Sequence, residues 1–183
     1  MAFTSLNTER LTMRPLTLDD AADLADRRSD PATAEFQAWT CPYSLERAVA
    51  LIEDVNGHPW PTPGTWHQLA VVESTSGRTV GDVTFYLADH GHTAEIGYTL
   101  HSWARGRGFA TEAAAGLIDH LVTDIGVHRL EASTHPDNAA SNRVLERLGF
   151  TREGTKRESY WVEDVVTDDA IWGLLARDWR KSR

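Results

Sequence analysis

The sequence holds a single cysteine, Cys41, so an internal disulfide is excluded and a reducing, cytoplasmic setting is expected. No uninterrupted apolar stretch approaches the roughly 20 residues that a membrane helix needs. The start, from Met1 to Glu9, has no basic segment followed by an apolar run, so it does not read as a secretory leader. Basic residues are in deficit: 18 Lys and Arg stand against 27 Asp and Glu, a formal net charge of −9. That argues against non-specific binding to nucleic acid or to anionic membranes. It is compatible with a cationic acceptor such as an amine, and equally with acidity that serves solubility alone. Internal repeats and low-complexity segments are also missing.

What is present suffices for a packed core. Of 183 residues 41% are apolar, so neither disulfides nor a metal are needed to hold the chain. The length predicts one domain, taken as residues 1–183. Period-two alternation of Leu11 and Met13 predicts a strand over 10–16. Thr17-Leu18-Asp19-Asp20 has the form of a capping box, with Ala21, Ala22, Leu24 and Ala25 behind it. Ser44 caps a second predicted helix, in which Ala48, Val49, Ile52 and Val55 recur at helical spacing as far as Gly57. Residues 56–66, rich in proline and glycine, read as a loop.

Strands are predicted over 68–73, 79–87 and 93–100, the first two joined by a hairpin turn at 74–78. A helix follows, with Ala113, Ala114, Leu117, Ile118, Leu121 and Val122 on one stripe. Next come a short strand over 129–134, a helix over 138–148 ended by Gly149, and a tail that returns two strands. The end of that tail, 170–176, fits strand or helix equally. Hairpins followed by a strand-helix-strand-helix-strand unit predict a mixed α/β fold. Its sheet is mainly antiparallel with a parallel pair inside.

The most informative segment is Arg105-Gly106-Arg107-Gly108-Phe109-Ala110. A strand runs into it and a helix leaves it at once. The first N–H groups of a helix lack backbone acceptors and carry partial positive charge. Small residues at Gly106, Gly108 and Ala110 allow close approach to the main chain, and a phosphate is the natural occupant. A Walker loop is excluded because no Gly-Lys-Ser/Thr follows. A dinucleotide site competes, with Glu131 near the distance of a ribose-binding acid. Against it, about a hundred residues of hairpin-like structure precede the motif.

These residues, with Glu95-Ile96-Gly97-Tyr98-Thr99-Leu100 before them and Thr111-Glu112-Ala113 after, resemble the acyl-CoA signature of the GNAT superfamily of N-acetyltransferases. Asn138-Ala139-Ala140-Ser141 and Glu146-Arg147-Leu148-Gly149-Phe150 are similar to the ribosomal-protein (Rim-type) branch. The resemblance spans Arg10 to Trp179. It implies a GNAT-like fold: a mostly antiparallel central sheet, a splayed parallel strand pair and helices on both faces. It also implies acetyl-CoA as cosubstrate and direct transfer to a primary amine. The pantetheine arm would pair with Tyr98, Thr99 and Leu100, the pyrophosphate would meet Arg105, Gly106, Arg107, Gly108, Phe109, Ala110 and Thr111, and Asn138 and Ser141 would flank the arm.

For catalysis the resemblance implies an oxyanion contact from the backbone N–H of Thr99 or Leu100. The tyrosine that many relatives carry seven residues after the motif asparagine is Leu145 here, and Ser141 matches the serine of the Rim-type branch. The acidic position before the turn is Ser102. Glu95 and His101 are the leading candidates for the base, with Glu131 and His135 nearby. Trp39, Trp60 and Trp66 are candidate acceptor-pocket residues. Cys41 is not read as a nucleophile, and His90-Gly91-His92 lacks the partners of a metal site. Three functions stay open at this point: acetylation of a protein N-terminal amine, acylation of a small-molecule amine such as an antibiotic or polyamine, and CoA binding without turnover. A homodimer is one possible assembly.

Overall fold

The computed structural model describes residues 3–182. The chain opens with β1 (Leu6–Asn7) and β2 (Leu11–Pro15), and the alternation in β2 buries Leu11 and Met13 completely. The predicted capping box forms: Thr17 N donates to Asp20 Oδ2 at 2.7 Å and opens a short 3-10 turn. That turn leads into α1 (Ala21–Ser29), which is followed by the one-turn α2 (Pro31–Ala34). Ser44 caps α3 (Leu45–Asn56) by accepting from Arg47 N, and the helix buries Ala48, Ile52 and Val55.

The proline-rich loop is shorter than its composition suggests, because β3 (Thr65–Glu73) begins before Trp66. Two contacts set this boundary. Gly64 N donates to Leu87 O at 2.7 Å, and the Trp66 ring packs on Tyr86, its register partner in β4 (Thr79–Leu87). β5 (Thr93–Leu100) leads through the glycine turn to α4 (Phe109–His120). β6 (Arg129–Thr134), α5 (Ala139–Arg147), β7 (Thr151–Val162), β8 (Val165–Leu175) and α6 (Ala176–Lys181) complete the chain. The ambiguous segment 170–176 is resolved as strand through Leu175. Ala170, Trp172 and Leu174 are buried at a period of two, and α6 starts only beyond them.

All eight strands form one sheet in the order β1-β2-β3-β4-β5-β6-β8-β7. Every pairing among the described residues is antiparallel except that of β5 with β6. This parallel pair holds for three rungs only: Thr93 with Arg129, Ala94 with Leu130 and Glu95 with Glu131. Beyond Glu95 the strands part, while β6 stays paired to β8 as far as Thr134. The larger core joins α4, α5 and α6 to one face through Val83, Phe85, Ile96, Leu117, Leu145 and Trp179. A smaller cluster of Leu16, Leu24, Ala48, Ile52 and Ala70 packs α1 and α3 on the other face. Helices therefore cover both faces, and the splay opens between them.

Candidate active site

The turn before α4 has the backbone that its glycines require. Gly106 and Gly108 lie at φ +74° and +82°, and Gly108 is the N-cap of α4. These are left-handed conformations that an L side chain adopts only at a cost. Arg10 straps the turn from outside. Its backbone N donates to Glu112 Oε1 and its Nε to Glu112 Oε2, both at 2.7 Å, and its Nη1 donates to Arg107 O at 3.0 Å. Burial pushes the Glu112 carboxyl up, but bonds from Thr8 and Arg10 outweigh it and hold the group below its ordinary value. The buried Phe109 ring is flanked by the guanidinium groups of Arg10 and Arg107.

The two motif arginines turn their side chains to the protein. Arg105 Nη2 donates to the buried Thr33 Oγ1 at 2.6 Å and its Nη1 to Ala32 O, which ties α2 to the turn. Arg107 pairs with Glu73 at 2.6 Å and does not line the adjacent cavity. That cavity, of about 580 Å³, is lined by Tyr98, Thr99 and Leu100, by Arg105, Gly106 and Gly108 through Thr111, and by Asn138 to Ser141. Free positive charge comes instead from α5. Arg143 and Arg147 both line the cavity; Arg143 stands outside the sequence motifs, and Arg147 falls inside one that carried no expectation of phosphate contact.

A second cavity of about 90 Å³ fills the splay itself, between Ile96, Gly97 and Tyr98 on β5 and Ala132, Ser133 and Thr134 on β6. Asn138 caps α5 through Oδ1, which accepts from Ser141 N at 3.1 Å. Thr134 Oγ1 donates to Asn142 Oδ1 and accepts from Trp172 Nε1, so the exit of β6 is clamped to the start of α5. The Tyr98 hydroxyl meets Ser141 Oγ at 2.9 Å and Ser141 O at 3.1 Å. Burial pushes this phenol far above its ordinary value, against the pull of its bond to Ser141. Leu145, where many relatives carry a tyrosine, is completely buried.

On the opposite side of β5 lies an open cleft of about 950 Å³. Its floor carries Asp82, Thr84, Glu95, Gly97, Thr99 and Ser133, and its walls include Trp39, Trp66 and Tyr160. Phe36, Gln37 and Tyr98 line this cleft and both other cavities, so the three spaces meet there. Phe36 and Gln37 carry no motif and escaped the sequence reading. Glu95 is half-buried. Desolvation first, then the neighbouring Glu131 and Asp169, raise its carboxyl above the ordinary value. Asp82 is anchored from below by the buried Arg27, whose Nη2 meets it at 2.6 Å.

The other candidates lie elsewhere. His101 is buried at the end of β5, with Nε2 at 2.9 Å from Asp23 Oδ1 and its ring stacked on Trp103, and it lines none of the three cavities. Its side chain is drawn away by Asp23, which also holds Arg27. Burial pushes the Asp23 carboxyl up, but these partners outweigh it and hold it below its ordinary value. Glu131 stays outside the cleft, and His135 lines it. Trp60 packs against Phe85 and His67, away from the cleft that Trp39 and Trp66 border. Cys41 borders the cleft as an exposed thiol. No metal-binding cluster and no helix able to cross a membrane occur among the described residues.

An acetyltransferase (GNAT) domain family matches residues 10–151 of this chain. The uncharacterized N-acetyltransferase p20 of Bacillus licheniformis is 31% identical over 96% of this chain and 98% of its own length. The ribosomal protein uS5-alanine N-acetyltransferase of Escherichia coli is 28% identical over 97% of this chain and 94% of that protein. Among solved structures, Mycobacterium smegmatis RimJ in complex with CoA-disulfide superposes with a TM-score of 0.81 at 25% identity, covering 92% of this chain and 83% of that one.

Proposed function

The chain belongs to the GNAT acetyltransferase family, an acetyl-CoA-dependent N-acetyltransferase by that membership, and from this premise we propose that it acetylates the N-terminal amine of a protein. The same reading takes residues 1–183 as one catalytic domain acting in the cytoplasm. Bound acetyl-CoA supplies an activated thioester carbonyl. The residues fit such a ligand: two glycines without Cβ atoms and the free first amides of α4 suit a pyrophosphate. Arg143 and Arg147 add charge for its phosphates, and the unpaired stretch of β5 offers main-chain groups to an extended arm.

One observation carries the acceptor assignment. The cleft beyond Thr99 is open and carries more acidic than basic groups, with Glu35, Glu95, Glu163 and Asp169 around it against Arg28 and His135, while Asp82 is paired with Arg27. Such a cleft draws in a cationic amine and leaves room for the chain behind it. Most amines are protonated near neutral pH, so attack needs a base. Glu95 holds that role, with a carboxyl poised above its ordinary value. Thr99 turns its backbone N–H to β4, so in this reading the N–H of Leu100, on the side that β6 leaves, meets the developing oxyanion and the Ser141 hydroxyl meets the departing sulfur. The uS5-alanine activity named for the E. coli relative points the same way.

Thiol release from acetyl-CoA tests the acceptor class. Short peptides with a free α-amine should support turnover, and the same peptides with a blocked amine should not. Turnover on polyamines or aminoglycosides but on no peptide would replace this reading with small-molecule acylation. Release with none of them would leave a CoA-binding module.

A further inference from the structure

Tyr98 and Ser141 are 43 residues apart in sequence and share two contacts, at 2.9 Å between hydroxyls and 3.1 Å to the Ser141 carbonyl. We infer that Tyr98 is a positioning residue for the acetyl transfer: its hydroxyl donates to Ser141 Oγ and so leaves the Ser141 proton free to point at the leaving sulfur. This rests on the reading of Ser141 given above.

The inventory of donors and acceptors supports it. A hydroxyl has one proton to give and two lone pairs. Ser141 N is already committed to Asn138 Oδ1, which fixes the residue in the first turn of α5. Ser141 O lies inside α5, where a carbonyl's ordinary partner is the N–H four residues on, and its second lone pair faces Tyr98. The Tyr98 hydroxyl donates to Ser141 O at 3.1 Å and lies nearer still, at 2.9 Å, to Ser141 Oγ, so its one proton can be shared between the two acceptors. Where that proton serves Ser141 Oγ, the serine proton has only the cavity side left. Both residues line the cofactor cavity and the gap between the splayed strands. Burial keeps the phenol protonated, so it stays a donor through the working pH range. A donor behind a donor also polarises it, and chains of hydrogen bonds strengthen one another.

The balance is simple. The C–N bond forms, the C–S bond breaks, and sulfur keeps the electron pair as a thiolate. Neither hydroxyl loses its proton, because one hydrogen bond from Ser141, backed by that from Tyr98, is enough for a thiolate whose acid has an ordinary pKa of about 8.5. The surplus proton of the amine leaves towards Glu95 and solvent.

The test is an ultraviolet titration of the thiol of CoA bound to the protein, which needs neither acceptor nor turnover. Wild type should hold the bound thiol at a lower pKa than Ser141→Ala or Tyr98→Phe does. The double variant should titrate like Ser141→Ala alone. Tyr98→Phe should also lower kcat about tenfold, the loss expected for one hydrogen bond, with CoA affinity unchanged. Should Tyr98→Phe not fold, 3-fluorotyrosine placed at position 98 keeps the shape and strengthens the donor, and the bound thiol pKa should then fall below that of wild type. A thiol unmoved by either change at 98, or effects that simply add in the double variant, overturns the inference while Ser141 keeps its role. A thiol and a turnover unmoved by Ser141→Ala remove Ser141 itself, and the inference with it.

Discussion

Glu95 on β5 stands directly across from Glu131 on β6 in the last rung before the two strands part. Burial disfavours the ionised form first, and the like charges of Glu131 and Asp169 add to it, so the Glu95 carboxyl is raised. If Glu95 is the base, activity requires its ionised form. The acidic limb of kcat/KM should then lie above the ordinary carboxylate value. Asp169→Asn removes one repelling charge and should move that limb to lower pH. A limb that stays put would falsify the assignment of the titrating group.

The same shift has a consequence for stability, with the opposite sense from activity. A carboxyl whose folded pKa is raised favours the fold at low pH, and that contribution is lost as pH rises through the folded value. Glu95→Gln should therefore lower kcat/KM about a hundredfold while leaving Tm at neutral pH equal or higher. Thermal melts beside initial rates separate the two effects.

Arg143 and Arg147 line the cofactor cavity, whereas the side chains of Arg105 and Arg107 are engaged with Thr33 and Glu73. Replacing Arg147 by Ala should weaken CoA binding about tenfold or more, as expected for a charged hydrogen bond. Calorimetry at two ionic strengths checks this, because the wild-type advantage should shrink with salt. Arg107→Ala should cost less, and an equal loss from both would return Arg107 to the list of phosphate contacts.

The sequence showed the parts of this site that are built locally. The glycines of the turn, the Asn138 cap and the alternation of Leu11 with Met13 each act within a few residues, so spacing reveals them. Long-range partners leave no such trace. Arg27 meets Asp82 at a separation of 55 residues and His101 meets Asp23 at 78, so nothing in the sequence signalled that the His101 ring is buried against a carboxylate outside the three cavities. The end of β8 was ambiguous because a buried strand and a buried helix share an apolar run, and only the packing of Trp172 and Leu174 decides.

Arg10 holds Glu112 and the carbonyl of Arg107 together, outside the turn that the two glycines form. Arg10 is a partly exposed surface partner of Glu112, so Arg10→Ala should change Tm little. Its effect should fall on the cofactor: Kd for CoA up about tenfold through a loosened turn, with kcat at saturation nearly unchanged. A full wild-type Kd would mean that the glycine turn keeps its shape unaided.

Arg27 is almost entirely inaccessible and is held between Asp23 and Asp82. Arg27→Met strands the buried Asp82 carboxylate and should cost about 3–5 kcal/mol in urea unfolding. Adding Asp82→Asn should recover part of that loss. Asp23 is held below its ordinary value, so its contribution is present above the unfolded pKa and is lost as pH falls through the folded one. Acid should thus loosen α1 against the sheet first, which hydrogen exchange would report.

The three rungs between β5 and β6 divide the eight-stranded sheet into a plate of five strands and a plate of three. Across that seam the sheet is short of hydrogen bonds. A ligand arm laid into it therefore works as mortar as well as substrate: it joins the two plates while it reacts, and its departure as product reopens the joint. Acetyl-CoA should accordingly bring the hydrogen exchange of β6 and β8 closer to that of β4, well away from the atoms it touches.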